Sequence, residues 1–235
     1  MTKPPSKPDV VFVSYEEPNA DEHYQRLLSF VPEAKRVHKV AGVINAWSEA
    51  ARLASTSHFY LVEADNWILD GFAFDWPETP LAADIYIWQA RNAVNGLEWF
   101  NGGLKLMSRA SVFSMDRQAV DFFISMKGRR RIMDDAVTET RFNASPFLAW
   151  RCGFREGTKL AAGLVQHPRL PEVLETWQTV GEDAPFGRWA ILGARMGAKF
   201  GHENVGTEAL RIVNDMAWLK AQFSRIEAAG IVNQI

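Results

Sequence analysis

The feature that most constrains this chain is an alternation near its start. Three short apolar runs and two amphipathic helical patterns succeed one another within residues 10–62. Val10-Val11-Phe12-Val13-Ser14-Tyr15 is rich in β-branched residues, predicts a buried strand, and is stopped by Glu16-Glu17-Pro18-Asn19. Asp21 to Phe30 predicts a helix, with Pro32 just beyond it, and Ala34 to Val40 a second strand. Val43 to Ala54 predicts a helix with Ile44, Trp47, Ala51 and Ala54 on one face, and Phe59-Tyr60-Leu61-Val62 a third strand. Strand, helix, strand, helix, strand implies parallel pairing through right-handed crossovers. Ligands of such sheets bind at the carboxyl ends of the strands.

Beyond Leu81 the pattern changes. Ile85–Trp88 and Leu104–Met107 predict strands on either side of a polar, glycine-containing passage, Asn92 to Gly103. Arg117–Phe123 predicts a short helix and Val137–Phe142 a further strand. Helical patterns then follow at Pro146–Leu164, Leu170–Thr179, Arg188–Phe200 and Thr207–Glu227. The fold class expected is α/β: a mixed, mostly parallel sheet flanked by helices, with a helical C-terminal part. Residues 1–165 would form the core and 166–235 a helical extension of the same domain.

A hydrophobic fraction of 47% and a charged fraction of 23% are those of an ordinary globular protein. No apolar run approaches the roughly 20 residues of a membrane-spanning helix, and Met1 to Asp9 is a Pro/Lys-containing polar lead, expected to be neither signal peptide nor anchor. The single cysteine, Cys152, cannot form an internal disulfide and fits a reducing cytoplasm. Net charge is −2, but residues 100–160 hold 11 Lys/Arg against 6 Asp/Glu, a net of +5, leaving 15 against 22, or −7, elsewhere. The asymmetry points to an anionic partner for the middle third: a diphosphate, a nucleic acid or another protein.

Directly after the third strand comes Glu63-Ala64-Asp65. Two carboxylates where a strand breaks its alternation can both reach a hard divalent cation such as Mg²⁺ or Mn²⁺. Acid-x-acid is common in solvated loops. Here it emerges from an apolar run and is followed by the apolar return Asn66-Trp67-Ile68-Leu69.

Asn45, the helix end Ala50-Ala51-Arg52-Leu53-Ala54, and Ser57-His58-Phe59-Tyr60-Leu61-Val62-Glu63-Ala64-Asp65-Asn66 together resemble the core of family 2-type glycosyltransferases with the GT-A fold. The departure is Glu63 where that family has Asp, which makes Asp65 the firmer ligand. Three further stretches, Trp88–Leu97, Gly102–Leu106 and Asn143–Glu156, resemble glycosyltransferase-like proteins of tailed bacteriophages. The resemblance implies a nucleoside-diphosphate-sugar donor, a UDP-sugar first among them, and Mn²⁺ or Mg²⁺ held by Glu63 and Asp65. His202 would be an added C-terminal ligand. It also implies a hydroxymethylpyrimidine acceptor in double-stranded phage DNA, and hence the cytoplasm of an infected host.

The resemblance distributes roles over the remaining candidates. Ser14, Tyr15 and Glu16 would form the uridine end of the first strand, with Tyr15 stacking. Gly102 and Gly103 would border the donor sugar, with Arg91 lining the same cleft. Arg151, Arg155 and Lys159 fall on one helix face and suit a diphosphate or a DNA backbone. Alternatively Glu156, Asp134, Asp135 and Glu139 neutralise them. Lys127, Arg129, Arg130 and Arg131, in an expected loop, would touch DNA phosphates. An inverting transferase needs a carboxylate base, for which Asp134 or Asp135 is available. The function expected is metal-dependent sugar transfer. The alternatives are a glycan or protein acceptor, or a catalytically silent GT-A-like module that binds DNA or protein. The oligomeric state is not legible in the sequence.

Overall fold

A computed structural model of the chain describes residues 7–100, 103–119 and 122–231. The opening alternation folds as predicted: β1 (Asp9–Ser14), α1 (Ala20–Leu28), β2 (Lys35–His38), α2 (Val43–Leu53) and β3 (His58–Glu63). Then come β4 (Asn66–Ile68), β5 (Ile85–Asn92), β6 (Glu98–Trp99), β7 (Leu104–Ser108), the short helices α3 (Arg109–Phe113) and α4 (Phe122–Ser125), and β8 (Arg130–Thr140). The strands order as β2-β1-β3-β7-β5-β8-β4, with β6 paired to β5. Strands β2, β1 and β3 are mutually parallel, as are β5 and β8; β7 and β4 run against their neighbours. A mixed sheet with most of its long strands in one direction is therefore present.

Period-two alternation sends side chains to two buried layers. Val10, Phe12, Tyr60, Val62, Leu104, Leu106, Tyr86 and Trp88 face one core, shared with Ala20 and Leu27 of α1. Val11, Phe59, Leu61, Ile85, Ile87 and Met107 face the other, shared with Trp47, Ala50 and Ala51 of α2 and Val112 of α3. Both faces of the sheet are covered, as a parallel segment requires.

Three local expectations are corrected. Strand β8 begins at Arg130 rather than Val137, because its first half pairs with β5, so Arg130 and Arg131 lie in a strand and not in a loop. Helix α3 starts at once after β7, capped by the Ser108 hydroxyl, which accepts from Ser111 N, and within Arg117–Phe123 only the start of α4 is described as helix. The single helix expected over Thr207–Glu227 is a 3₁₀ segment (Glu208–Asn214) followed by α8 (Met216–Ala228), because the Asp215 carboxylate accepts from Trp218 N and restarts the helix.

The chain divides into two compact units. One holds the residues up to Asn92 with Glu98–Arg141; the other holds Ala93–Leu97 with the residues from Phe142 onward. The second unit contains α5 (Pro146–Ala161), α6 (Leu170–Thr179), α7 (Gly187–Glu203), the 3₁₀ segment and α8. Helix α5, part of the stretch expected to form the core, packs with the C-terminal helices through α7. Gly153 and Gly157 of α5 lie against the backbone of Ala190 and Ala194. Gly193, Gly197 and Gly201 of α7 lie against that of Trp150, Phe154 and Thr158. A Cβ on any of these glycines would come within 2.0–2.5 Å of a carbonyl oxygen of the other helix, so the two backbones meet without side chains between them.

Candidate functional site

In the first unit the chain runs from β1 out to β2 and then back past β1 to β3. The boundary between β1 and β3 is thus the topological switch point of the parallel segment, and the carboxyl ends flanking such a point form a crevice for ligands. Val13 pairs with Glu63, so Ser14-Tyr15 on one strand and Glu63-Ala64-Asp65 on the other meet there. Two expectations for the first strand separate at this point. Ser14 is buried and its hydroxyl bonds to His38 Nδ1 (2.9 Å) and accepts from Arg36 Nε (2.9 Å), which spends it internally. Tyr15 is exposed, as is Glu16.

Glu63 is not an open carboxylate. Its Oε1 accepts from Lys105 Nζ at 2.8 Å, and Lys105 is fully buried, its ammonium 4.1 Å from the centroid of Trp47. Lys105 sits on β7 opposite Leu61, on the face toward α2 that Glu63 also occupies. The sequence carries a signal for this pair: a charge inside the apolar run Leu104-Lys105-Leu106-Met107 must find a counter-charge in the core.

Asp65 is held differently. Asn66 Nδ2 donates to Asp65 Oδ1 at 2.7 Å, and Arg141 N donates to the Asp65 carbonyl at 2.6 Å. Asn66 is buried, and its Oδ1 accepts from the hydroxyls of Thr138 (2.9 Å) and Thr140 (3.2 Å). Strands β4 and β8 pair Asn66 with Thr140 and Ile68 with Thr138, which brings the two threonines to one face, over the amide. Gly103 closes the other side. A Cβ there would lie 2.1 Å from Asn66 Nδ2, and its carbonyl accepts from Glu63 N at 2.9 Å. The close approach that demands glycine at 103 is thus to Asn66. Behind the motif, His23 Nδ1 meets the Ala64 carbonyl at 2.8 Å.

The other candidates scatter. Asn45, near the start of α2, accepts from Arg117 Nη1 at 2.9 Å. Arg91, at the end of β5, pairs with Glu98 at 3.0 Å. Gly102 lies outside the described residues. Asp134 and Asp135 are exposed on an irregular stretch of β8 opposite the Ile87–Gln89 step of β5. Four residues of β8, from Ile132 to Ala136, are taken up opposite the two-residue step from Ile87 to Gln89, and the Asp134 carbonyl accepts from Gln89 Nε2 at 3.1 Å. The basic residues sit lower still. Arg130 pairs with Ile85, which is level with Met107 and so with Phe59 at the foot of β3. Arg130 donates to the Phe123 carbonyl, Arg131 pairs with Glu78, and Lys127 and Arg129 are exposed. This cluster and Asp65 occupy opposite ends of the sheet.

In the second unit, Arg155 Nη2 donates to Asn214 Oδ1 (3.1 Å), Arg151 Nη1 points at Met216 Sδ (3.9 Å) and Lys159 pairs with Glu156 (2.5 Å). Of the carboxylates considered for the stripe, Glu156 takes part. His202 lies exposed in the last turn of α7.

Among the described residues, no group of three or more His, Cys, Asp and Glu side chains could hold a metal ion. A preformed cage is therefore not what these residues build. Mg²⁺ and Mn²⁺ at nucleotide sites use one or two carboxylates and take their other ligands from phosphates and water. Asp65, half-buried just beyond the carboxyl end of β3, fits that smaller donor set. No helix described is long and apolar enough to cross a membrane.

No protein-family model matches this chain, and no curated protein matches it. Among solved structures it is similar to HddC from Yersinia pseudotuberculosis, at 18% identity over 53% of this chain and 68% of that one, with a TM-score of 0.34. It is also similar to a glycosyltransferase involved in the glycosylation of the major capsid of PBCV-1, at 13% identity over 57% and 94%, TM-score 0.39. A third is the mannosyltransferase PcManGT from Pyrobaculum calidifontis, solved in complex with GDP-Man and Mn2+, at 12% identity over 99% and 86%, TM-score 0.39.

Proposed function

We propose that the chain is a glycosyltransferase that takes its sugar from a nucleoside diphosphate. The observation that carries the reading is Asp65: a carboxylate at the carboxyl end of β3, beside the switch point of a parallel segment and oriented by a buried amide. Exposed Tyr15 at the neighbouring strand end supplies a surface for the base. A divalent ion bound through Asp65 would neutralise the charge that develops on the departing diphosphate. In the reaction the acceptor oxygen bonds to the anomeric carbon, the bond from that carbon to the diphosphate breaks, and the acceptor's proton passes to a base. For that base we keep Asp134 or Asp135, exposed carboxylates of β8 beside Gln89.

The acceptor class we propose is a hydroxymethylated pyrimidine in DNA, as the phage resemblance implies. The segment Lys127–Arg131 does not support this acceptor, since it lies at the far end of the sheet from Asp65.

The test is incubation of the protein and Mn²⁺ with a panel of nucleotide sugars and hydroxymethylcytosine DNA, read by nucleoside mass spectrometry. A hexose or pentose mass increment that disappears in Asp65→Ala is expected. Increments undiminished in Asp65→Ala would remove Asp65 from the chemistry. No increment with any donor, alongside donor hydrolysis that needs Mn²⁺, would move the acceptor to a glycan or protein. No turnover of any donor would leave the silent-module reading.

A further inference from the structure

The three residues around Asp65 that the sequence did not single out form a chain of hydrogen bonds with only one consistent polarity. An ionised Asp65 accepts and cannot donate, so the Asn66 amide must turn its N–H side toward it, as the 2.7 Å contact shows. That leaves Asn66 Oδ1 facing Thr138 and Thr140, whose hydroxyls can rotate to donate, at 2.9 and 3.2 Å. All three side chains are buried, and Gly103 leaves no room for the amide to swing out. Neither threonine touches Asp65 in these bonds; both act through the amide.

We propose that Asn66, locked by the Thr138 and Thr140 hydroxyls against Gly103, is the positioning residue that presents Asp65 to a divalent cation on a nucleoside diphosphate. The inference rests on the reading of Asp65 given above. Outer partners that orient a ligating carboxylate typically change metal affinity by about 10–100-fold when removed. Removing the two hydroxyls leaves the buried Asn66 Oδ1 without these donors, so the amide loses the bonds that hold its N–H side against Asp65.

The experiment is Mn²⁺ binding to the full chain in the presence of UDP, followed by electron paramagnetic resonance, with folding checked by circular dichroism. The variants are Thr138→Val with Thr140→Val, the matching double serine variant, and Asp65→Ala. The double valine variant is expected to bind Mn²⁺ about 10–100-fold more weakly, and the double serine variant to regain wild-type affinity. If the double valine variant does not fold, Thr138→Val alone is measured and a several-fold loss is expected. Wild-type affinity in a folded valine variant overturns the positioning role while leaving Asp65 as the ligand. Wild-type protein that binds no Mn²⁺ with UDP, or Asp65→Ala that binds it unchanged, overturns the underlying site and the positioning role together.

Discussion

Lys105 Nζ lies 2.8 Å from Glu63 Oε1, and the two ends of that bond have unequal access to water: the lysine side chain is 0% exposed, the glutamate 32%. A buried cation that loses its carboxylate loses its counter-charge where water cannot replace it, whereas a rim carboxylate that loses its lysine can hydrate.

That inequality predicts an order of stabilities. Glu63→Ala should cost about 3 kcal/mol, and Lys105→Met, which replaces the stem with an apolar one against Trp47, about 1 kcal/mol or less. Urea denaturation of the two variants measures this. A larger loss for Lys105→Met would show that the lysine is held by something other than the carboxylate.

Helices α5 and α7 meet backbone to backbone, which makes their glycines sensitive to a single methyl group. A Cβ at Gly197 would lie 2.0 Å from the Phe154 carbonyl oxygen, beside the bond in which the Thr158 hydroxyl donates to the Gly197 carbonyl at 3.1 Å. Gly197→Ala is therefore expected to cost about 1–3 kcal/mol and to lower Tm by several degrees. Gly206→Ala, at φ 72° with nothing within 4 Å of its Cβ, should cost only the left-handed backbone penalty of about 1 kcal/mol. A Gly197→Ala protein that melts with the wild type would mean that the helices separate at no cost.

His23 ties α1 to the motif. The Ala64 carbonyl can only accept and the Asn19 amide nitrogen can only donate, so His23 carries its proton on Nδ1 and accepts on Nε2 (2.8 and 3.2 Å). Burial holds its pKa below the ordinary 6.5, with the hydrogen bond to Ala64 opposing that shift. The fold thus favours neutral His23. Its contribution is complete above pH 6.5 and declines as pH falls from there toward the lower folded pKa, because the unfolded chain binds the proton first. His58, also lowered by burial, adds in the same direction. The urea midpoint should fall on acidification from about pH 7.5 to about pH 5, and fall less steeply in His23→Leu. Equal slopes in the two proteins would exclude His23 as a source.

Residues 10–65 determined much by themselves. The period-two runs and the spacing of Ile44, Trp47, Ala51 and Ala54 were enough to order β1, α1, β2, α2 and β3, because burial on both faces leaves an apolar strand little freedom. They also placed Glu63-Ala64-Asp65 at a strand end, where the structure has it. What pairs with what along non-local strands was decided only in three dimensions. Thr138 and Thr140 lie more than seventy residues from Asn66 in the chain, and Lys105 lies 42 from Glu63. Their meeting depends on β4 pairing with β8 and β7 entering antiparallel beside β3. The same pairings carried the basic cluster away from Asp65, since parallel β5 and β8 both start at the foot of the sheet. Local pattern dictates which face a side chain takes. Strand order and direction decide which residues share that face, and so divide two similar carboxylates into Glu63, bound to a buried lysine, and Asp65, bonded to a buried amide.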